Sequence, residues 1–146
     1  MRARLLLLAA ALAAFGASLG SGFHLDDYAI FSDPVLTSPW GWLQVWGWRQ
    51  TRPLTYVTFW LNYQAGGQDP IGYHALNLLL HLGSALLVWR ILVRLRVPGA
   101  ALAAAIFALH PVMVESVAWI TQRKNTLAMF FFVVALIWYL SFEDTR

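Results

Sequence analysis

Long apolar runs alternate with short polar segments along this chain of 146 residues. Because about twenty apolar residues are needed to cross the hydrocarbon core of a bilayer, this pattern predicts an all-α integral membrane protein. We expect about four transmembrane helices in a single membrane domain over residues 1–146. The predicted spans are about 5–22, 71–93, 99–113 and 126–142.

The segment between the first two runs, residues 23–70, is polar at its start and rich in aromatic side chains. It holds five of the eight tryptophans, namely Trp40, Trp42, Trp46, Trp48 and Trp60. Tryptophan prefers the headgroup region, where its ring is buried and its N–H stays hydrated. A hydroxyl followed by proline at Ser38 predicts a helix start, and residues 54–63 predict a second helix that stops at Gly66. We expect both short helices to lie in the outer membrane interface.

The distribution of basic residues predicts the orientation. Six are expected inside (Arg2, Arg4, Arg90, Arg94, Arg96 and Arg146) and four outside (Arg49, Arg52, Arg123 and Lys124), and the inside loops are far shorter. The positive-inside rule then puts both termini in the cytoplasm and residues 23–70 and 112–125 outside. Nine of the ten basic residues are arginine, which is typical of a GC-rich genome and favours a bacterial chain. The expected membrane is then a bacterial inner membrane.

The first run is open to two interpretations, because a positive flank before a Leu/Ala run is typical of both a retained span and a cleaved signal peptide. Either one places the following segment outside the cytoplasm.

The composition, 60% hydrophobic and 12% charged with a mean hydropathy of +0.60, fits contact with membrane lipids. The chain has no cysteine, which excludes disulfides and thiol chemistry. Its net charge of +3 is scattered, so no nucleic-acid partner is expected.

Polar residues recur at helical spacing within the second span, at His74, Asn77, His81 and Ser84. Steps of three and four place them on one helix face. Since polar groups in hydrocarbon are costly, this stripe is expected to face other protein or water. Histidines so placed are most often donors between helices, not metal ligands.

Two adjacent carboxylates, Asp26 and Asp27, follow the first span directly. Neighbouring carboxylates disfavour each other's ionisation, which suits a general base acting on a hydroxyl. A solvated loop start or a helix cap is the simpler interpretation of the same pair.

The predicted outer segments also carry cations, Arg52, Arg123 and Lys124. Cations there can hold a phosphate through charge-assisted hydrogen bonds, and lipid headgroups offer the same chemistry without catalysis. His110 and Glu115 lie close in sequence to Arg123 and Lys124. Histidine and carboxylate can ligate metals, but their spacing matches no metal motif, so we predict no metal ligand, with a divalent metal left as an open alternative.

Taken together and in order, four strings resemble a known family: FHLDDYAIFSDPVL, RPLTYVTFWLNYQAGG, DPIGYHALNLLLHLGSALLVWRIL and FALHPVMVESVAWITQRKNTLAMFFFVVALIWYL. They are similar to the amino-terminal part of the transmembrane and tetratricopeptide-repeat O-mannosyltransferases and their bacterial relatives, in the glycosyltransferase C superfamily. The resemblance covers nearly the whole chain. Its most specific part runs from His110 through Glu115 to Arg123 and Lys124.

The resemblance implies a sugar donor carried on a polyprenyl phosphate and an acceptor hydroxyl, usually on a protein Ser or Thr. In this superfamily the catalytic acidic residue lies in the first outward loop. The resemblance places it on Asp26 and Asp27, with the carboxylate of Asp26 as the general base. It also implies that Arg52, Arg123 and Lys124, with Glu115 and His110 nearby, bind the lipid phosphate. We expect Asp26 or Asp27 to converge with Glu115 and the Arg123-Lys124 pair in one cleft.

Family members have several more spans, so we expect this chain to be the amino-terminal portion of a larger glycosyltransferase fold. The missing helices would come from a partner chain or from the rest of the same protein. The alternative from the residues alone is a non-catalytic small polytopic membrane protein, either an assembly subunit or a transporter fragment. Transporters place polar residues or broken helices in several spans, whereas only the second span here has a polar stripe.

Overall fold

The structure, a computed structural model, describes residues 2–47 and 51–145. Every regular element in these ranges is a helix, so the predicted all-α fold is confirmed. In chain order the helices are α1 (Arg2–Phe15), α2 (Asp27–Phe31), α3 (Gly41–Gln44), α4 (Pro53–Gly66), α5 (Pro70–Arg94), α6 (Ala100–Leu109), α7 (Met113–Ala118) and α8 (Arg123–Glu143). Trp48 and Arg49, both placed in the first loop by the sequence, lie outside the described residues.

Three helical segments are long and apolar enough to cross a membrane. They are Arg2–Gly20, in which a 3₁₀ turn (Gly16–Gly20) continues α1; α5; and Ile120–Glu143, in which a 3₁₀ turn (Ile120–Gln122) precedes α8. Their 19, 25 and 24 residues correspond to lengths of roughly 28 to 38 Å at helical rise. These lengths match a hydrocarbon core of about 30 Å.

The predicted third span, residues 99–113, contains α6 and the start of α7 instead of one continuous helix. α6 has only ten residues, which makes it roughly 15 Å long and shorter than the other three. It ends before Pro111, because His110 takes the extended backbone (ψ 132°) that a residue preceding proline favours. Gly99 makes the turn before α6 with a left-handed backbone (φ +73°) that glycine adopts without strain.

α5 is the central helix, and it packs against α8, α6, α7, α4 and α1. Its start is capped by Asp69, whose Oδ1 accepts a hydrogen bond from Ile71 N–H at 3.0 Å. The polar stripe of α5 is buried at all four positions, which confirms that it faces protein. His81 Nε2 lies 3.0 Å from the Ala108 carbonyl oxygen, and since a carbonyl only accepts, the ring donates between α5 and α6.

Two apolar clusters hold the helices together. The larger joins α1, α5, α6 and α7 through Leu7, Ala11, Phe15, Leu78, Leu82, Ala85, Ala104, Ala108 and Val117. Its alanines let the backbones of neighbouring helices approach closely. The second cluster consists of Ile30, Leu36, Phe59, Tyr73 and Ile120, and it fastens the first loop (residues 21–69) onto the ends of α5 and α8.

The first loop is folded and contains both short helices that the sequence predicted. Ser38 Oγ accepts a hydrogen bond from Trp40 N–H at 3.3 Å, and α3 begins one residue later. The Ser38 carbonyl accepts from Trp60 Nε1 at 2.8 Å, which ties this turn to α4. α4 ends at Gly66 as predicted, followed by Gly67 with φ +61°.

Candidate active site

Asp27 is completely buried at the start of α2. Its Oδ2 accepts a hydrogen bond from His24 N–H at 2.9 Å, and its Oδ1 accepts one from Thr121 N–H, also at 2.9 Å. The second bond joins residues 94 positions apart and connects the first loop to the 3₁₀ turn before α8. The carboxylate of Asp27 therefore anchors the loop and is not exposed to an incoming acceptor.

Asp26, its neighbour in sequence, is exposed. It lines a cavity of about 180 Å³ together with Arg52, Thr55, Tyr56, Thr121 and Lys124. The structure thus separates the two carboxylates, since one lies inside the protein and the other faces a solvent-accessible cavity.

Two cations face Asp26 in this cavity, Arg52 at the start of α4 and Lys124 in the first turn of α8. In the part of the chain that the structure describes, the only salt bridge joins Arg94 to Asp144, at the other end of α5 and α8. Neither cavity cation is neutralised by a described carboxylate in direct contact. An anion entering the cavity would meet both.

Arg123 precedes Lys124 but is fully buried. Its N–H groups donate to four oxygens: Asn77 Oδ1 at 2.8 Å, Tyr73 O at 2.8 Å, Asn62 Oδ1 at 2.6 Å and Thr58 Oγ1 at 3.3 Å. Its guanidinium carbon lies 4.5 Å from the centroid of the Phe59 ring, within the range of a cation–π contact. Arg123 thereby connects α4, α5 and α8, and four of its five donors are occupied by protein.

Glu115 and His110 do not line the Asp26 cavity. Glu115 is exposed on α7 and its Oε1 accepts from Gln122 Nε2 at 3.0 Å. His110 is exposed before α7, and its Nδ1 accepts from Val112 N–H at 3.2 Å. Of the predicted cleft, Asp26 and Lys124 line one cavity, and Arg52 joins them there. Asp27 and Arg123 are buried, and Glu115 does not line this cavity.

No group of three His, Cys, Asp or Glu side chains suited to a metal ion occurs within residues 2–47 and 51–145. The sequence pattern did not point to three residues that bind Asp27 and Arg123. Thr121 donates its backbone N–H to Asp27, and the α4 side chains Thr58 and Asn62 accept hydrogen bonds from Arg123. Their only sequence signal is weak, since Thr58 and Asn62 are four residues apart and therefore share one face of α4.

The cavity combines a carboxylate that can accept a proton with two cations that can bind an anion. These are the groups needed to deprotonate a hydroxyl while a negatively charged leaving group departs. The fold and this cavity together define a polytopic helical membrane protein with a polar site at one end of its helices.

Comparison with known proteins identifies relatives of this chain. It is 31% identical over 156 residues to a protein O-mannosyl-transferase of Caenorhabditis elegans, covering 94% of this chain and 23% of the relative. It is 33% identical over 167 residues to the protein O-mannosyl-transferase TMTC4 of Homo sapiens, covering 94% and 22%. It is 32% identical over 162 residues to the protein O-mannosyl-transferase tmtc2 of Xenopus laevis, covering 100% and 19%.

The resemblance predicted from the sequence is therefore confirmed, and the chain is related to the TMTC-type protein O-mannosyl-transferases over nearly its whole length. It spans about a fifth of the length of these relatives. No family profile matches the chain, and no solved structure matches it.

Proposed function

We propose that this chain forms the catalytic-base and phosphate-binding part of a membrane glycosyltransferase. The enzyme would move a sugar, mannose by analogy with the relatives, from a polyprenyl-phosphate donor to a Ser or Thr hydroxyl of a protein. One observation carries the proposal: an exposed carboxylate, Asp26, shares a cavity with the cations Arg52 and Lys124. The names of the relatives, all protein O-mannosyl-transferases, support it.

In the proposed reaction, Asp26 accepts the proton of the acceptor hydroxyl. The hydroxyl oxygen attacks the anomeric carbon of the sugar, and the bond from that carbon to the phosphate oxygen breaks with inversion. The phosphate gains one negative charge as the bond breaks. Arg52 and Lys124 would stabilise this developing charge, since preorganised cations act most strongly where charge appears in the transition state.

Asp27 and Arg123 have supporting roles in this proposal. Asp27 holds the backbone that carries Asp26, because its two hydrogen bonds fix His24 and Thr121. Arg123 holds α4 against α8, the helices that carry Arg52 and Lys124. We accordingly assign phosphate binding to Arg52 and Lys124, and we leave Glu115, His110 and the guanidinium of Arg123 out of the substrate contacts.

We further propose that the cavity lies on the extracytoplasmic face of a bacterial inner membrane, with both termini in the cytoplasm. Arg94 Nη1 donates to Ser141 Oγ at 2.9 Å, so the basic end of α5 lies beside the carboxyl end of α8. That end is separated from Asp26 by the length of both helices. The positive-inside rule assigns it to the cytoplasm.

The proposal is tested in membranes of cells that carry the gene at its own locus, compared with membranes from which it is deleted. The membranes receive radiolabelled mannosyl-phosphoryl-polyprenol and a Ser/Thr-rich acceptor peptide. We expect labelled peptide only where the gene is present, and we expect a nucleotide-linked mannose to give none in washed membranes that lack polyprenyl phosphate. Equal labelling with and without the gene would refute the proposed activity.

A further inference from the structure

A second cavity continues from the Asp26 cavity along the outside of α8. It measures about 240 Å³ and lies between α4 and α8. The two cavities share Arg52, Thr55 and Lys124, so they adjoin each other and together give a site with a polar part and an apolar part. We call the apolar part the α4–α8 groove, and its apolar walls are Leu54, Leu127, Ala128 and Phe131.

The order of side chains along α8 gives the groove a direction. Lys124, Leu127, Ala128 and Phe131 follow at steps of three, one and three, so they lie on one helix face over two turns. The cation comes first, and the apolar residues follow toward the interior of a predicted membrane span. Ala128 and Phe131 are exposed, the latter with 48% of its residue surface accessible.

A site with two cations at its mouth and only apolar side chains beyond them is complementary to an anion with a hydrocarbon tail. A nucleotide-sugar would need polar partners for its ribose and base, and the α4–α8 groove has none below Thr55. A lipid phosphate satisfies both ends, because its charge pairs with the cations and its tail covers apolar surface that also faces the bilayer.

We propose that the α4–α8 groove binds the first isoprene units of a polyprenyl-phosphate donor while Arg52 and Lys124 hold its phosphate. This inference rests on the proposed function and deepens it, since it places the donor on the membrane side of Asp26. The sugar on the phosphate then points into the Asp26 cavity. The acceptor hydroxyl approaches from the solvent side of that cavity.

Photo-crosslinking tests the groove without requiring transfer. The probe is citronellyl phosphate with a diazirine at the far end of its hydrocarbon chain, added to membranes that contain the protein. Mass spectrometry then locates the labelled peptides. We expect labelling within residues 127–131, and we expect the uncharged alcohol of the same probe to show no preference for this segment.

Two variants with the same substitution, alanine to tryptophan, test whether the probe binds in the α4–α8 groove. Ala128→Trp fills the groove and should reduce labelling of residues 127–131 by about tenfold or more, the loss expected from overpacking a binding site. Ala13→Trp, on the exposed side of α1, adds the same side chain away from the Asp26 cavity and the α4–α8 groove and should leave labelling unchanged. The double variant Arg52→Gln, Lys124→Gln should lose the phosphate-dependent part of the labelling.

The outcomes separate this inference from the function it rests on. Asp26→Asn should crosslink like the wild type, because the carboxylate does not hold the donor. If label maps outside the α4–α8 groove while Asp26→Asn abolishes transfer, the groove assignment is overturned and the function stands. If phosphatidylglycerol vesicles compete as well as polyprenyl phosphate, the groove is an ordinary lipid-headgroup site and the inference is wrong.

Discussion

Replacing Asp27 should destabilise the protein, whereas replacing Asp26 should not, although the two residues are adjacent and chemically identical. Asp27 is completely buried and accepts hydrogen bonds from His24 N–H and Thr121 N–H. A hydrogen bond to a charged group contributes roughly 1.5 to 3 kcal/mol. Asp27→Ala removes both bonds, so we expect a loss of about 3 to 6 kcal/mol.

Asp27→Asn is the graded control for this prediction. Its amide oxygen can keep one of the two bonds, while its NH₂ group faces a second donor, so about half of the loss should remain. Asp26 is exposed and lines a cavity, so Asp26→Asn should change stability by less than about 0.5 kcal/mol. Thermal unfolding in detergent, followed by intrinsic tryptophan fluorescence, measures all three variants. If Asp27→Ala unfolds at the same temperature as Asp26→Asn, the anchoring role of Asp27 is refuted.

Three further predictions concern Arg123, Lys124 and the membrane topology. Arg123→Ala should lower the free energy of unfolding by roughly 3 kcal/mol or more in the same unfolding assay, because Asn77, Asn62 and Tyr73 lose a charged donor. Arg123→Lys should recover only part of this loss, and a fully stable Ala variant would show that the contacts are dispensable. Lys124→Gln should raise the KM for donor more at low than at high ionic strength, since salt screens the cation's attraction for phosphate, and an unchanged KM at all salt concentrations would remove Lys124 from the donor site. Single cysteines at Thr37 and Thr145, in a chain without native cysteine, should differ in labelling by an impermeant maleimide, with only position 37 labelled from outside; labelling at 145 but not at 37 would invert the topology.

Local patterns predicted much of the fold. That the α5 stripe faces away from lipid followed from its spacing of three and four residues, because a helix face that is polar within a membrane is expected to contact protein or water. The end of α4 at Gly66 followed from a glycine pair that favours a helix stop. These features depend on residues within one or two helical turns of each other, so the sequence contains the information needed.

The division of roles within the site could not be predicted in the same way. Asp27 accepts a hydrogen bond from Thr121, 94 positions away, and this long-range contact distinguishes it from Asp26. Arg123 is buried and Lys124 is not because α4 supplies Asn62 and Thr58 to the first of the two. Such contacts arise from tertiary packing between distant segments, and spacing along one helix does not encode them. The shortening of α6 is a local effect, since Pro111 favours the extended backbone of His110 at which the helix ends.

The most direct test of the proposed function is the rate of sugar transfer by Asp26→Asn when the donor is saturating. Asparagine keeps the size of the side chain and its hydrogen-bonding capacity but cannot take the acceptor's proton. A positioned general base contributes about 10²- to 10⁴-fold in rate, so the rate should fall by that factor. Donor binding and thermal stability should stay at wild-type values. Transfer at the wild-type rate by this variant, in membranes where its donor binding is intact, would contradict the assignment of Asp26 as the base.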